Sequence, residues 1–198
     1  MRAQKPERVT APATRLILLE EVKQFLRIED DETAEDTLLT SLVLSAEAAL
    51  DGYTGLLGRA LVDQQWRQRF SDFPMQAQLL LPLGLVRTAP VVTYRDTLGG
   101  EQVFDRFHLI TTALGPAIEL EYGATWPQTA TRPDAVTVTW TAGYGPAASD
   151  VPEIFRTAAL QLIAHWYATR EAVNVGNIVT EVPWGLKQTI ASMGAVTG

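Results

Sequence analysis

The stretch whose spacing most resembles a ligand site is Gly143-Tyr144-Gly145-Pro146-Ala147-Ala148. It follows an expected strand and precedes an expected helix, as the dinucleotide fingerprint G-x-G-x-x-A does. That fingerprint works because a helix begins inside the glycine turn and aims free N–H groups at a pyrophosphate. Here Pro146, Ser149-Asp150 and Pro152 delay the helix by several residues. The strand before it alternates with threonine, whereas a central parallel strand is apolar throughout. The glycines are therefore expected to serve a turn. Glu119 and Glu121 stand two apart and would share a strand face. Such a pair can do acid–base work, but it is more often two solvated charges. His165 stands beside Trp166 and Tyr167 in an apolar helical stretch, with no nucleophile recognisably placed to use it. The other histidine, His108, is far away in sequence. Zinc sites take three or four ligands, and cysteine is absent. No G-x-S-x-G, P-loop or H-E-x-x-H pattern occurs. The sequence thus offers no catalytic, metal or cofactor residue.

Those residues need a frame. The chain has 198 residues, 46% hydrophobic and 20% charged, enough for one packed core with a sizeable insertion. No apolar run approaches the ~18 residues of a membrane span. The formal charge of −7 argues against a surface that grips nucleic acid by releasing counterions. Residues 1–14, polar and carrying Pro6 and Pro12, read as a flexible arm outside a single domain of residues 15–198. They have no apolar run of the length a secretory signal needs.

The fold class expected is α+β. About four helices form an antiparallel core, with an antiparallel β-rich insertion between the second and third. The helical parts are placed at about 18–57 and 152–193, the insertion at about 62–142. Leu19, Val22, Phe25 and Leu26 give the first helix, Leu18 to Ile28, its apolar side. Glu29-Asp30-Asp31-Glu32-Thr33-Ala34-Glu35-Asp36 follows, six acids in eight residues, and Thr33 with Asp36 matches a capping box. The second helix runs to about Tyr53, with a stripe from Leu38 through Leu42, Ala46 and Leu50 to Tyr53. Gly52 and Gly55 are its stop signals. Strand patterns then appear at Gln65–Phe70, Gln78–Leu81, Val91–Arg95, Glu101–Phe104, Ala117–Tyr122 and Ala135–Thr141. Gly99-Gly100 marks a hairpin. Val136, Val138 and Trp140 share one face of the last strand and three threonines the other, the mark of a sheet with one wet face. Asp150 is placed to cap a third helix with Phe155, Ala158, Ala159, Leu162, Ile163, Trp166 and Tyr167 inward. Val173 to Val182 is irregular, and Pro183 opens a short amphipathic helix.

The five tryptophans are spread along the chain. Trp140 and Trp166 lie in apolar stripes and read as core. Trp126 stands in a proline-rich loop and Trp184 near the C-terminus. Exposed tryptophan is enriched where a partner covers it, so both are candidate interface residues.

The order of these pieces resembles the head–tail connector (adaptor, or head-completion) proteins of long-tailed phages, prophages and gene transfer agents. Leu18-Leu19-Glu20-Glu21-Val22-Lys23-Gln24-Phe25-Leu26-Arg27 looks like the family's opening helix. The acidic turn and Leu38 to Tyr53-Thr54-Gly55 look like its second, followed by Arg59-Ala60-Leu61 and the Gln65-Trp66 strand. Arg132-Pro133-Asp134-Ala135-Val136 through Thr141-Ala142-Gly143-Tyr144-Gly145 looks like its late strand and turn. Val151-Pro152 with Ala164-His165-Trp166-Tyr167 and Arg170-Glu171 looks like its third helix, and Val182-Pro183-Trp184-Gly185-Leu186 like its closing segment. The arm and the tail after Met193 lie outside the match.

The resemblance implies a structural protein of a virion or virus-like particle, with no catalysis and no cofactor. It implies a homo-oligomeric ring of about twelve copies beneath a portal protein. A head-closure, stopper or tail protein would lie below it. DNA would pass through without specific binding, and assembly would take place in the host cytoplasm with no membrane involved. The family's C-terminal segment commonly reaches a neighbouring subunit or the portal, so Pro183, Trp184, Leu186, Ile190 and Met193 are the candidate docking residues, with Trp126. A DNA channel favours walls that do not hold phosphate. Glu29, Asp30, Asp31, Glu32, Glu35 and Asp36 are accordingly expected to face it. The alternative is a small β-rich module of a particle that binds carbohydrate or a receptor.

Overall fold

The structure, a computed structural model, describes residues 1–169. In chain order its elements are β1 (Glu7–Thr10), α1 (Leu19–Leu26), α2 (Asp36–Leu50), β2 (Gln64–Phe70), β3 (Gln78–Leu80), β4 (Val91–Arg95), β5 (Glu101–Phe104), β6 (Phe107–Thr112), β7 (Gly115–Leu120), β8 (Val136–Ala142), a 3-10 turn (Ala148–Asp150) and α3 (Glu153–Thr169). The class is α+β, with three α-helices among the described residues and two antiparallel sheets. The expected fourth helix lies outside the described residues.

The larger sheet has the order β1-β2-β8-β4-β5 and the smaller β3-β7-β6. The alternation read from Ala135–Thr141 sets the register at the centre. Trp66 lies opposite Trp140, Gln68 opposite Val138 and Phe70 opposite Val136. Val136, Val138 and Trp140 are buried, while the threonines between them remain partly exposed. Leu79 and Ile118 of the smaller sheet, with Leu81 just past β3, join Trp66, Phe70, Val92, Phe104 and Trp140 in one core. The Gly99-Gly100 hairpin forms as expected: Arg95 pairs with Glu101, and the Asp96 carboxylate accepts the N–H groups of Leu98 and Gly100 at 2.9 Å each.

A second core lies among the helices, where Val22, Leu39, Val43, Ala46 and Leu50 meet Phe155, Ala159, Leu162 and Ile163. Arg27, in the left-handed region at φ 61°, ends α1 within a residue of the expected stop. Glu21 reaches back to accept the Leu18 N–H at 2.8 Å. Gly52, at φ +83°, sits so close to the Trp66 indole that a Cβ there would lie 3.3 Å from it. The end of α2 is thus keyed into the β core.

Four expectations are corrected. Residues 1–14 are not a free arm: β1 pairs with β2, and Gln4 N–H donates to Arg69 C=O at 2.8 Å. All four residues of β1 are exposed, so backbone pairing and ion pairs hold it, and neither leaves a hydrophobic period. The Thr33–Asp36 capping box does not form, because the Asp36 carboxylate turns to Lys23 instead. Leu38 and Tyr53, placed in the buried stripe of α2, are 41% and 43% exposed: the helix turns Leu39 inward next to Leu38, and it stops at Leu50, short of Tyr53. Asp150 does not cap α3; it accepts the Ala147 N–H at 2.9 Å and closes the turn before it.

Candidate interaction surfaces

The acidic turn between α1 and α2 is built around a buried cation. Lys23 is 4% exposed. Its ammonium lies 2.7 Å from an Asp36 carboxylate oxygen and donates to the carbonyls of Glu32 at 2.8 Å and Asp30 at 3.2 Å. Two of its N–H donors meet carbonyls, and the Asp36 carboxylate supplies the counter-charge. The turn therefore folds with two carbonyls and one carboxylate inward. Glu35 also points inward, accepting the hydroxyl of Tyr167 on α3. Of the six acids expected to face a channel, Glu29, Asp30, Asp31 and Glu32 are exposed, and Glu35 and Asp36 are committed to contacts within the chain. Sequence reading missed Lys23. Its only signal is a lysine next to Val22, on the side of α1 that must be covered.

Arg156 performs a similar role at the other end of the helical layer. It donates to Glu153 at 2.8 Å on its own helix and to Glu21 across on α1. Asp51, just past α2, accepts the Leu61 N–H at 2.8 Å and the Gln64 amide at 2.9 and 3.0 Å. Burial pushes the Asp51 carboxyl above its ordinary range, against the opposing pull of Gln64, Leu61 and Arg8.

Trp126, a candidate interface residue, is partly buried and packs within its own chain. Its ring stacks on Phe73 with centroids 4.8 Å apart and planes 9° apart, and its indole N–H donates to Gln76 C=O at 2.8 Å. Pro183, Trp184, Leu186, Ile190 and Met193 lie outside the described residues.

The glycine motif is structural. Gly143 has φ +151°, and a Cβ on it would lie 2.6 Å from the Asp63 backbone nitrogen. Asp63 N–H donates to Gly145 C=O at 2.9 Å and Tyr144 N–H to Leu61 C=O at 2.9 Å. The segment before β2 therefore lies directly against this turn. Glu119 and Glu121 are separately engaged. Glu119 accepts the Gln78 amide at 2.8 Å, and Glu121, beyond the end of β7, lies 3.6 Å from Arg106. Among the described residues no group of three or more His, Asp or Glu is placed to hold a metal, and no helix is long and apolar enough to cross a membrane.

Charge is divided between the layers. Residues 15–58 and 150–169, which hold the helices, carry twelve acids against four bases; residues 1–14 and 59–149, which hold the sheets, carry nine acids against ten bases.

Residues 16–80, which run from the start of the helical layer through α1, α2 and β2 into β3, match the family described as "Phage gp6-like head-tail connector protein". That match covers about a third of the chain. The likeness of the chain to solved structures extends over nearly its whole length. A chain of the virion of a native gene transfer agent particle is 25% identical, with a TM-score of 0.76, covering 96% of this chain and 95% of that one. A chain from the neck of an empty gene transfer agent particle, computed with C6 symmetry, gives 25% identity and a TM-score of 0.75 over the same shares. A chain from the neck of the native particle, computed with C12 symmetry, is 21% identical with a TM-score of 0.69, covering 96% and 94%, and adds likeness of fold. No curated protein matches the chain.

Proposed function

We propose that this protein is a structural adaptor of a phage-type or gene transfer agent particle, a connector and not an enzyme, working where the head joins the tail. The observation that carries this reading is the likeness over 96% of the chain, at 25% identity, to a chain of a gene transfer agent virion. Within the particle the subunits form a homo-oligomeric ring. The similar neck chain comes from a C6 reconstruction, with which about twelve copies are compatible. The ring sits beneath the portal protein and above a closure, stopper or tail protein, and it assembles in the host cytoplasm.

The channel surface is the exposed part of the acidic turn, Glu29, Asp30, Asp31 and Glu32. Supporting this is the turn's construction: its carbonyls point in toward Lys23, and these four residues stay at the surface. Fixed arginines along a channel would hold DNA phosphates, whereas carboxylates give them nothing to bind. DNA then slides past without specific binding. The partner-facing segment is Pro183 to Met193, whose Trp184, Leu186, Ile190 and Met193 dock on a neighbouring subunit or the portal; Trp126 contributes only its uncovered edge.

Removing the protein from a producing cell tests the reading. Filled heads and separate tails should accumulate unjoined in electron micrographs, and joined, DNA-delivering particles without it would contradict the reading.

A further inference from the structure

The outer face of the larger sheet carries a feature the adaptor reading does not use. Arg67 and Arg69 of β2, Arg95 of β4 and Arg132 of the loop before β8 converge over Thr93, Thr137 and Thr139 around a shallow hollow of about 350 Å³. An adjoining hollow shares Arg69, Arg132 and Asp134 with it. Four guanidinium groups are balanced by only three carboxylates. One Glu7 oxygen accepts from both Arg67, at 2.7 Å, and Arg69, at 2.8 Å, while Glu101 takes Arg95 and Asp134 takes Arg132. Arg67 meets Glu7 through Nε and Arg69 through Nη1, and with side chains 37% and 31% exposed both have further N–H groups to offer. The Arg67 hydrogen bond holds the Glu7 carboxyl below its ordinary range, and the Arg132 hydrogen bond does the same for Asp134, so both carboxylates stay ionised and paired.

We infer that this arginine hollow is a docking surface for a second copy of the chain, taking carboxylates that the next subunit's helical layer exposes outside the channel-facing turn, Glu20 and Glu153 foremost. Charge complementarity identifies the occupant. A ring contact is heterologous, one patch meeting a different patch on the next copy. This chain carries nearly all of its net charge on the helical layer and a local positive excess on the sheet face. Stacked head to tail, each copy presents the one to the other. Arginine suits the role, because its planar fork binds carboxylate through two N–H groups at once. The inference rests on the adaptor reading and deepens it by naming the lateral contact.

Thr139 is the position at which to test it. It lies on the wet face between Arg67 and Val91, so substitutions there leave the core untouched. A photo-crosslinking residue at 139, or at Thr93 should the first variant fail to fold, is introduced into the full chain in producing cells. Illumination of joined particles should yield a covalent dimer of the chain, with the second copy attached through residues 15–58 or 150–169. In parallel, Thr139→Glu, which neutralises the hollow, should lower the yield of joined particles about tenfold, while Thr139→Lys leaves it within about twofold. An adduct with another protein or with DNA, no adduct, or equal effects of Glu and Lys would overturn the inference and leave the adaptor reading standing. Absence of the wild-type chain from particles would sink the adaptor reading itself.

Discussion

Replacing Lys23 by methionine tests whether the acidic turn is held from inside. Methionine keeps the aliphatic stem and removes the ammonium, leaving the Asp36 carboxylate without the counter-charge 2.7 Å away and two carbonyls, at 2.8 and 3.2 Å, without their donor. Breaking a buried ion pair from one side costs about 3–5 kcal/mol. The Asp36 side chain is 31% exposed, so water recovers part of that, and about 2–4 kcal/mol is expected. For a chain of this size the loss corresponds to a fall in Tm of roughly 4–16 °C. Urea unfolding followed by tryptophan fluorescence reads it directly. Asp36→Asn alone should cost less, and the double variant should cost clearly less than the sum of the two, by about 1–2 kcal/mol of coupling. A Lys23→Met variant within about 0.5 kcal/mol of the parent, or strictly additive effects, would refute the internal lock.

Gly143→Ala should destabilise by about 2–4 kcal/mol, combining a strained φ with a Cβ 2.6 Å from the Asp63 backbone, as thermal unfolding will show. Trp126→Ala should cost about 2–3 kcal/mol through the lost stack on Phe73 and the lost bond to Gln76; urea unfolding showing no loss would mean that the ring is not held within the subunit. Burial raises the Asp51 carboxyl, so its contribution to stability is full below the unfolded-state value and is lost as pH rises through the folded-state one. Stability of the parent relative to Asp51→Asn should therefore fall as pH is raised from about 3.5 to 7, and a rise would contradict the burial argument. Replacing Glu29, Asp30, Asp31 and Glu32 together by lysine should leave joined particles but slow or block DNA delivery, measured by transfer into recipient cells. Normal delivery would remove the turn from the channel.

The fold was legible where burial leaves a period. The β8 alternation of Val136, Val138 and Trp140 and the α3 stripe from Phe155 to Ile163 both stand as read, because each element packs one face against a core. β1 was illegible because its side chains bury nothing, and the strand is defined by its neighbour's backbone. β6 was missed for a related reason: of its six residues none is fully buried. The surfaces were legible only as composition. Six acids in a row of eight announce an acidic turn, but which of them face outward depends on Lys23, a residue outside the run. The arginine hollow draws on two strands and a loop separated by up to 65 residues, and no local window contains it.

A reconstruction of the particle at side-chain resolution tests the central claim most directly. The account predicts this chain as a closed ring at the junction of head and tail, with Asp31 and Glu32 turned toward the axis along which DNA passes. Finding the chain anywhere else in the particle, or in the ring with those carboxylates on its outer rim, would contradict it.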